Sequence, residues 1–322
     1  MYTSIIGTGS ALPSKVVPNS YFETILDTTD EWIVSRTGIK ERHFVEEGGH
    51  LIDLIEESAH KAIADAGITA QDIGLIIVST DTPEKLIPST ASILQGRLGV
   101  KRVAAFDMQA ACAGYVYGMG IADGMMKASN IEYALVIGAA KYSTLLDMTD
   151  RATCVLFGDG AGATVLKLTD EPGLVGYKLS CEGSFCESLQ VPWGPAQGID
   201  AITEENRYVT MDGQAVYKQS VRLICDEVEQ FMQSQNITSD EIDWFIPHQA
   251  NERIIDAMAK RININKERCI ITLDKHANTS SASIPLAMDV ARRDGRIKSG
   301  DTVLLEGFGA GFSWGSMLVK MV

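Results

Sequence analysis

ITAQDIGLII at residues 68–77 recurs as ITSDEIDWFI at residues 237–246. Four of the ten positions are identical, and the two copies lie 169 residues apart (68 to 237). The segments IEYALVIGA (131–139) and GDTVLLEGF (300–308) have the same spacing. Because two unrelated segments share one spacing, the sequence indicates a duplicated domain. The period is far longer than that of a solenoid repeat.

The seam between the two copies is predicted near residue 170, where TDEPG (169–173) supplies a loop. Residues 1–170 then form an N-terminal half and residues 171–322 a C-terminal half. Each half alternates strand-like and helix-like stretches, which favours an α/β fold with largely parallel central strands, stacked as layers of helix and sheet. The predicted strands are 75–80, 103–108, 133–139, 243–248, 269–273 and 302–307, and the predicted helices are 51–66, 89–98, 113–128, 214–234, 249–261 and 281–294.

Composition narrows the class of protein. The chain has 322 residues and a formal net charge of −14, an acidic field that opposes nucleic acid and anionic membranes as general partners. No apolar run is long enough to span a bilayer, and the N-terminal MYTSIIGTGSALPSK lacks the features of a signal peptide. The six cysteines show no metal-binding spacing, so we expect a reducing, cytoplasmic compartment and no metal site.

Cys112, in QAACAGY (109–115), lies between a predicted strand and a predicted helix. A helix N-terminus carries partial positive charge and unpaired N–H groups, which favour thiolate over thiol. Taken alone, the local sequence favours a buried structural cysteine, because that is the more common role of a free Cys. A thiol nucleophile also needs an acid or base and an oxyanion site. Whether Cys112 is catalytic or structural therefore depends on finding such residues elsewhere in the sequence.

Two polar residues are candidate partners of this thiol. His248 ends the apolar run DWFIPH (243–248), at the strand end where α/β folds place ligands and catalytic groups. Asn278 lies in LDKHANTSSAS at a junction that the repeat places near Cys112. The structural alternatives are that His248 is a core histidine with its hydrogen bonds made inside the protein, and that Asn278 caps a helix. His276 is a competing candidate in the same stretch.

Glycine-rich stretches supply a further clue. GTGSALP (7–13) and GDGAG (158–162) lack the spacing of a dinucleotide fingerprint or a phosphate loop, and we interpret both as tight turns. FGAGFSWG (308–315) follows an apolar strand, so its backbone N–H groups are candidates for a second oxyanion donor.

Six motifs occur in one order along the chain: DTTDEWIVSRTGIKER, QAACAGY, DRATCVLFGDGAGA, PHQANERI, HANTSSASIP and GFGAGFSWG. Together they resemble the β-ketoacyl-acyl-carrier-protein synthase III family, from about residue 2 to the C-terminus. The resemblance implies a duplicated thiolase-like fold with αβαβα layers. It also implies a decarboxylative condensation of an acyl-CoA primer with malonyl-acyl carrier protein. The products would be 3-oxoacyl carrier protein, CoA and CO₂, and no cofactor would be needed.

The resemblance implies a role for each central residue. Cys112 would carry the acyl group as a thioester, while His248 and Asn278 would donate hydrogen bonds to the enolate oxygen of the malonyl donor. The backbone N–H groups of Cys112 and Ala310 would form the acyl oxyanion hole. Ala310 and Ala277 stand where the family usually has glycine.

The resemblance also implies three contact sets. The expected CoA contacts are Thr28, Trp32, Arg36, Arg151, Gly213, Tyr217, Ala250 and Asn251. A basic cluster would dock the acidic carrier protein, and the expected docking residues are Lys218, Gln249, Ala250, Asn251, Glu252, Arg253, Lys260 and Arg261. The expected acyl-pocket residues are Ile87, Leu156, Phe157 and Phe308. Ile87 matches a position from which a partner subunit closes the pocket, which implies a homodimer, and its size fits a longer or branched primer.

Three alternatives stay open at this point. A related condensing enzyme of secondary metabolism would keep the fold and nucleophile but make a polyketide starter, a quinolone or a long-chain ketone. A cysteine hydrolase with Cys, His and Asn is disfavoured, because the duplication and the carrier helix have no role in it. A binding scaffold without activity is disfavoured by the retention of Cys112, His248 and Asn278.

Overall fold

The computed structural model describes all residues, Met1–Val322. Its strands are β1 Tyr2–Ala11, β2 Lys15–Pro18, β3 Glu41–Phe44, β4 Leu75–Ser79, β5 Ala104–Met108, β6 Tyr133–Lys141, β7 Asp159–Thr169, β8 Leu174–Cys181, β9 Leu189–Gln190, β10 Thr210–Met211, β11 Trp244–Pro247, β12 Thr302–Gly309 and β13 Ser313–Lys320. Its helices are α1 Asn19–Glu23, α2 Asp30–Thr37, α3 Leu51–Asp65, α4 Thr90–Arg97, α5 Gly114–Ser129, α6 Gly213–Gln219, α7 Cys225–Ser234, α8 Glu252–Arg261, α9 Leu273–His276 and α10 Ser283–Arg293.

Two central sheets have the same internal order. The first runs β1-β7-β6-β4-β5, and the second runs β11-β12-β13-β8, which is the same arrangement without an equivalent of β5. The first sheet ends with β7 at Thr169, and the first strand of the second sheet, β8, begins at Leu174. The predicted seam near residue 170 therefore coincides with the change from one sheet to the other.

Both sheets are mixed, so the prediction of largely parallel strands was wrong. Only β4–β5, β4–β6 and β11–β12 pair in parallel, whereas β6–β7, β7–β1, β12–β13 and β13–β8 pair antiparallel. The turn Ala310–Phe312 joins β12 to β13 directly. Three residues are too few for the crossover that parallel neighbours require, so these strands must run antiparallel.

The repeat extends to the turn that holds the nucleophile. The 3-10 turn Ala111–Ala113 precedes α5, and the 3-10 turn Ser280–Ala282 precedes α10 at the same spacing of 169 residues. Each turn begins with a non-glycine residue at positive φ, 47° at Ala111 and 51° at Ser280. The residue equivalent to Cys112 is therefore Ser281, with Asn278 three residues earlier.

Five layers stack in the order αβαβα, as the resemblance implied. Helices α3 and α4 cover the outer face of the first sheet, and α5 and α10 lie between the two sheets. The outer face of the second sheet packs on α7 and α8 through a core that includes Phe231, Phe245 and Met258. Helix α5 buries Tyr115 and Met119 completely, and each such side chain contributes roughly 1.5–3 kcal/mol of stability.

One predicted strand and one predicted helix differ from the structure. Residues 269–273 form only a single bridge, Phe245 to Cys269, after which the chain turns into α9. The turn occurs because the N–H of Thr272 donates to the side chain of Gln249 (3.0 Å) instead of to a strand. The predicted helix 214–234 is present as α6 and α7, joined by a π-helical turn at Ser220–Ile224.

Candidate active site

A cavity of about 720 Å³ brings the three proposed catalytic residues together. Cys112, from the turn before α5, lines it with His248, which follows β11, and Asn278, which follows α9. These residues come from both halves of the chain. His276, the competing candidate, does not line this cavity. The three residues that the sequence predicted as neighbours therefore line one cavity and His276 does not, while their catalytic roles stay a prediction.

Cys112 is held tightly against the end of β12. Its side chain is buried, with 3% exposed. A Cβ atom added to Gly309 would lie 2.5 Å from the Cys112 nitrogen, so only glycine allows the two segments to approach this closely. The close fit fixes the direction of the thiol and of the N–H group beside it.

The thiol of Cys112 is protonated at rest, which corrects the expectation of a thiolate. Burial, followed by the negative charge of Asp81, raises the pKa of Cys112 from 9.0 to about 12. That change corresponds to about 4 kcal/mol, whereas a helix N-terminus stabilises an anion by roughly 0.3–1 kcal/mol in most sites. Lost hydration therefore outweighs the helix dipole, and the proton must leave during the reaction.

His248 presents an N–H group to the cavity. Its Nδ1 lies 2.6 Å from the Ser283 hydroxyl, which also accepts from the backbone N–H of Gln249 (3.3 Å). The Ser283 hydroxyl has no other acceptor than Nδ1, so we assign its proton to that hydrogen bond and the proton of the neutral ring to Nε2. Burial lowers the pKa of His248 to about 3, so the ring is neutral near pH 7.

Asn278 presents an amide donor beside it. Its backbone bridges to the segment at Phe157, donating to Leu156 O (3.0 Å) and accepting from Gly158 N (2.9 Å). Its Oδ1 accepts from the Ser280 N–H (2.9 Å), which leaves the two Nδ2 protons without a protein acceptor. The preceding residue, Ala277, has φ 57° and ψ −159°, a region that glycine adopts most easily. This explains the usual family glycine at that position.

Ala310 has a backbone that alanine tolerates. It is absent from the residues with positive φ, so the loss of the family glycine causes no strain at that position. It lines a second cavity of about 1240 Å³, whereas its neighbour Gly309 lines the first. Its part in the acyl oxyanion hole stays a prediction.

Seven of the eight expected CoA contacts line the first cavity. The guanidinium groups of Arg36 and Arg151 each lie over the Trp32 ring, at 5.0 Å and 4.6 Å from its centroid. Thr28 does not line the cavity, and its hydroxyl is buried without a partner. The members of the set that do line it are Trp32, Arg36, Arg151, Gly213, Tyr217, Ala250 and Asn251.

The charge of the cavity lining is opposite to that of the chain. Arg36, Arg151 and Arg253 line it, and no Asp or Glu does. The chain as a whole carries a formal net charge of −14. Three arginines without a compensating carboxylate are suited to a phosphorylated, anionic ligand.

Three of the expected docking residues are unsuited to that role. Gln249 is 1% exposed and donates to Pro247 O (2.6 Å), so it supports the site from inside. Arg261 pairs with Asp226 (2.7 Å) and Glu229 (2.6 Å), and Glu252 pairs with Lys266 (2.7 Å). These charges are neutralised locally. Of the expected docking residues, Lys218, Arg253 and Lys260 are exposed cations that form no salt bridge, and the exposed Arg222, which the sequence prediction did not include, also forms none.

The expected acyl-pocket residues divide into two groups. Leu156, Phe157 and Phe308 line the first cavity, and the Phe308 ring stands edge-on to His248 with centroids 5.1 Å apart. Ile87 is 87% exposed and does not line this cavity within its own chain. The adjacent Leu86 is 72% exposed and lines the second cavity.

Comparison with known proteins identifies the family. Two sequence profiles match, 3-oxoacyl-[acyl-carrier-protein] synthase III at residues 106–183 and its C-terminal part at residues 232–321. A β-ketoacyl-[acyl-carrier-protein] synthase III from Alkalilimnicola ehrlichii is 48% identical over 320 residues, which covers 99% of both chains. The chain belongs to the β-ketoacyl-acyl-carrier-protein synthase III family. Membership makes it an acyltransferase of the condensing type.

Solved structures agree with this assignment to synthase III. The crystal structure of 3-oxoacyl-[acyl-carrier-protein] synthase III from Aquifex aeolicus has a TM-score of 0.92 and 39% identity, and covers 99% of each chain. The thiolase-like fold is thereby confirmed. A priming β-ketosynthase of the R1128 polyketide pathway has a TM-score of 0.94, but its identity is only 30%, over 99% of this chain and 96% of that one. The higher identity of the synthase III relative favours fatty-acid synthesis over secondary metabolism.

Asp81 and Tyr142 were not among the residues predicted from the sequence, although Asp81 accepts hydrogen bonds from Tyr142 (3.0 Å) and from Ser280 (3.0 Å), which lies two residues after Asn278. Asp81 follows β4 after one residue, just as His248 directly follows β11. The strand-end argument that identified His248 would also have identified Asp81. Tyr142 directly follows β6 in the same sheet.

No group of three or more His, Cys, Asp or Glu residues is arranged to hold a metal ion. No helix has both the length and the apolar character needed to cross a bilayer.

His276 makes stability depend on pH in a predictable way. Burial is the largest cause that lowers the pKa of His276 from 6.5 to about 4. Between about pH 6.5 and 4, His276 is therefore protonated in the unfolded chain and neutral in the folded chain. Stability from neutral His276 is therefore complete above pH 6.5 and is lost as pH falls toward 4, by about 1.4 kcal/mol per pH unit. Relative to His276→Gln, we expect the wild type to lose about 2 kcal/mol between pH 7 and 5.

Urea unfolding of the two proteins at both pH values measures this difference. The other buried groups, such as His248 and Glu306, titrate equally in both proteins and cancel. A difference in unfolding free energy that does not change with pH would show that His276 is not held neutral.

Proposed function

We propose that this synthase transfers an acyl group from acyl-CoA to Cys112 and condenses it with malonyl-acyl carrier protein. The products are 3-oxoacyl carrier protein, CoA and CO₂, and the reaction initiates fatty-acid synthesis. One observation carries the proposal: a buried thiol and two neutral N–H donors line the same cavity as three arginines. No cofactor is required, because each step uses only the thiol and hydrogen-bond donors.

The first step forms a thioester on the enzyme. The Cys112 sulfur attacks the thioester carbon of acyl-CoA, its proton leaves, and CoA departs as a thiolate that is then protonated. The oxygen that becomes negative during the attack needs donors, and the backbone N–H groups of Cys112 and Ala310 are the proposed pair. Arg36 and Arg151 hold the phosphates, and adenine stacks against Trp32.

The second step breaks the bond between the malonyl α-carbon and its carboxylate. The electron pair of that bond forms an enolate, whose oxygen accepts hydrogen bonds from His248 Nε2–H and Asn278 Nδ2–H. A carboxylate in either position would repel the enolate, so a neutral imidazole and an amide suit the task. The α-carbon then attacks the acyl thioester, and Cys112 leaves with the bonding electrons.

The proposed role of Arg36 and Arg151 in binding the CoA phosphates predicts how their loss changes the KM for acyl-CoA. We expect Arg36→Ala and Arg151→Ala each to raise the KM for acyl-CoA roughly tenfold, because a charge-assisted contact contributes about 1.5–3 kcal/mol. Steady-state kinetics at increasing salt measures the effect, which shrinks as salt screens the charges. Arg296→Ala is the matched control, since Arg296 pairs with Asp294 (2.7 Å) and lies outside the cavity. An equal rise in KM for that control would contradict the assignment.

We also propose a homodimer in which Ile87 of one copy reaches the acyl pocket of the other. Ile87 and Leu86 project from the surface, exposed by 87% and 72%, beside the second cavity. Exposed aliphatic side chains next to a large cavity favour a protein contact. Isoleucine there leaves room for a primer longer or more branched than acetyl. Six free cysteines support the proposed cytoplasmic location.

Reconstitution of the reaction tests the proposed function. The purified enzyme receives malonyl-acyl carrier protein and one primer at a time, from acetyl-CoA through branched chains to octanoyl-CoA. Mass spectrometry of the carrier protein is expected to show a 3-oxoacyl product for at least one primer, with one CO₂ released per product. Free fatty acid and no condensed product with every primer would indicate a hydrolase and overturn the proposal.

A further inference from the structure

The two cavities adjoin along the segments that form the active site. Cys112 lines the first cavity, whereas the preceding residue Ala111 lines the second. The end of β12 divides in the same way, because Gly309 lines the first cavity and Ala310 lines the second. Leu189 lines both. Since neighbouring residues of one segment face different cavities, the wall between the cavities is thin.

Two stacked aromatic rings form part of this wall. Phe157 lines the first cavity, and Tyr142 lines the second. Their ring centroids lie 4.6 Å apart, and the ring planes are within 11° of parallel. Both side chains are buried. Because each ring faces a different cavity and the two rings are in contact, the wall at this point consists of the stacked pair.

The Tyr142 ring is held in place at its polar end. Its hydroxyl donates to Asp81 Oδ2 (3.0 Å), which also accepts from the Ser280 hydroxyl (3.0 Å). The backbone beside the ring is fixed as well, because the Lys141 N–H donates to the Thr82 hydroxyl (2.9 Å). A ring that is anchored by its hydroxyl and packed on its face is costly to displace. Tyr142 therefore supports Phe157 from the side away from Cys112.

The second cavity has room for an acyl chain and an apolar surface to receive it. Its volume is about 1240 Å³, compared with about 720 Å³ for the first cavity. An acyl chain that crossed the wall would bury its methylene groups against the lining, and each buried methylene favours binding. The apolar side chains of that lining include Leu145, Leu189, Val191, Trp193 and Val209.

We propose that Tyr142 sets the length of the longest primer that Cys112 accepts, by closing the acyl pocket off from the second cavity. The proposal rests on the proposed acyl transfer to Cys112. In the wild type the acyl chain ends against Phe157, which the Tyr142 ring holds in position. With a smaller side chain at position 142 the chain extends into the second cavity. The accepted class then widens from short and branched acyl-CoA to medium-chain acyl-CoA.

Tyr142 is a cleaner position for the test than Phe157. The backbone of the Phe157 segment bridges to Asn278, and Phe157 lines the same cavity as the catalytic candidates. A change there would disturb the chemistry together with the pocket. Tyr142 lines only the second cavity, so its substitution changes the wall from the far side.

Rapid-quench acylation with butyryl-, hexanoyl- and octanoyl-CoA, followed by mass spectrometry of the intact protein, is the test. We expect the wild-type kcat/KM for acylation to fall steeply from butyryl to octanoyl. In Tyr142→Ala the ratio of octanoyl to butyryl should rise at least about 50-fold, because each methylene that becomes buried contributes roughly fourfold. Tyr142→Leu opens the wall less, and its ratio should rise about tenfold.

Two control variants separate the ring from other effects. Tyr142→Phe keeps the ring and loses only the hydroxyl, so it should keep the wild-type dependence on chain length. Phe231→Leu matches Tyr142→Leu as the loss of a buried aromatic ring, but Phe231 lines neither cavity. It should also keep the wild-type dependence. If either control raises the octanoyl ratio as much as Tyr142→Leu does, the Tyr142 ring is not the barrier and the proposal is wrong.

A photoreactive primer shows where the long chain lies. Tyr142→Ala is acylated with an octanoyl-CoA that carries a diazirine near its terminal carbon, and is then irradiated. We expect the label on residues of the second cavity, such as Val191, Trp193 or Val209. Labelling confined to residues that line only the first cavity, such as Val216 or Ile254, would overturn the proposal.

The remaining outcomes distinguish this proposal from the proposed function. A wild type that accepts octanoyl as well as butyryl, or Tyr142 variants with an unchanged ratio, would show that Tyr142 sets no limit, although acyl transfer stands. If no primer acylates Cys112 in the wild type, the proposed function itself is overturned. Should Tyr142→Ala fail to fold, Tyr142→Leu carries both the kinetic and the labelling measurement.

Discussion

Cys112→Ala is expected to abolish acyl transfer and condensation, with a loss of at least about 10⁴-fold in kcat. In the proposed reaction the acyl group becomes bonded to the Cys112 sulfur, and no other Cys and no Ser or Lys lines the cavity. Incubation with acyl-CoA and mass spectrometry of the intact protein should show no acyl adduct. Cys181→Ala is the matched control, because Cys181 is a free, exposed cysteine outside that cavity.

The same variant should retain part of the chemistry. His248 and Asn278 keep their N–H donors without the thiol, since neither depends on Cys112 for its hydrogen bonds. Malonyl-acyl carrier protein should therefore still lose CO₂ and give acetyl carrier protein. If Cys112→Ala loses malonyl decarboxylation as well as acylation, the two steps are not separable as proposed.

Asn278→Ala is expected to have the opposite effect. The Cys112 acyl adduct should form at close to the wild-type rate, whereas malonyl decarboxylation should fall about 10²–10³-fold, the usual consequence of removing one oxyanion donor. Asn278→Asp should be more damaging still, because an anion would face the enolate. Measuring CO₂ release and acyl-enzyme formation in parallel distinguishes the two steps.

His276→Gln is the control for this variant, since His276 lies in the same segment but outside the cavity. It should leave both rates nearly unchanged. If Asn278→Ala blocks acylation, or if His276→Gln blocks decarboxylation, the assignment of Asn278 as the donor is wrong.

Much of the fold was predictable because the repeat and the apolar periodicity are local properties of the chain. The spacing of 169 residues that links residues 68–77 to 237–246 also links the turn of Cys112 to that of Ser281. Strand pairing direction was not predictable in the same way. The pairing direction depends on loop lengths, such as the three residues between β12 and β13. A search for apolar runs does not take loop lengths into account.

That three candidate residues share one cavity was predictable from the sequence, whereas the electrostatics of that cavity were not. Cys112, His248 and Asn278 could be chosen because strand ends and motifs mark them. The pKa of the thiol could not, since burial by both halves and the charge of Asp81 set it. For the same reason the sequence could not show that Arg261, an expected docking residue, forms salt bridges with Asp226 and Glu229 on a different helix.

A single-turnover experiment tests the central claim most directly. Enzyme acylated on Cys112 is separated from free acyl-CoA and mixed with malonyl-acyl carrier protein. We expect the acyl adduct to disappear as 3-oxoacyl carrier protein and CO₂ appear in equal amounts, with the free thiol restored. Release of the acyl group as free acid, with no condensed product on the carrier protein, would contradict the account.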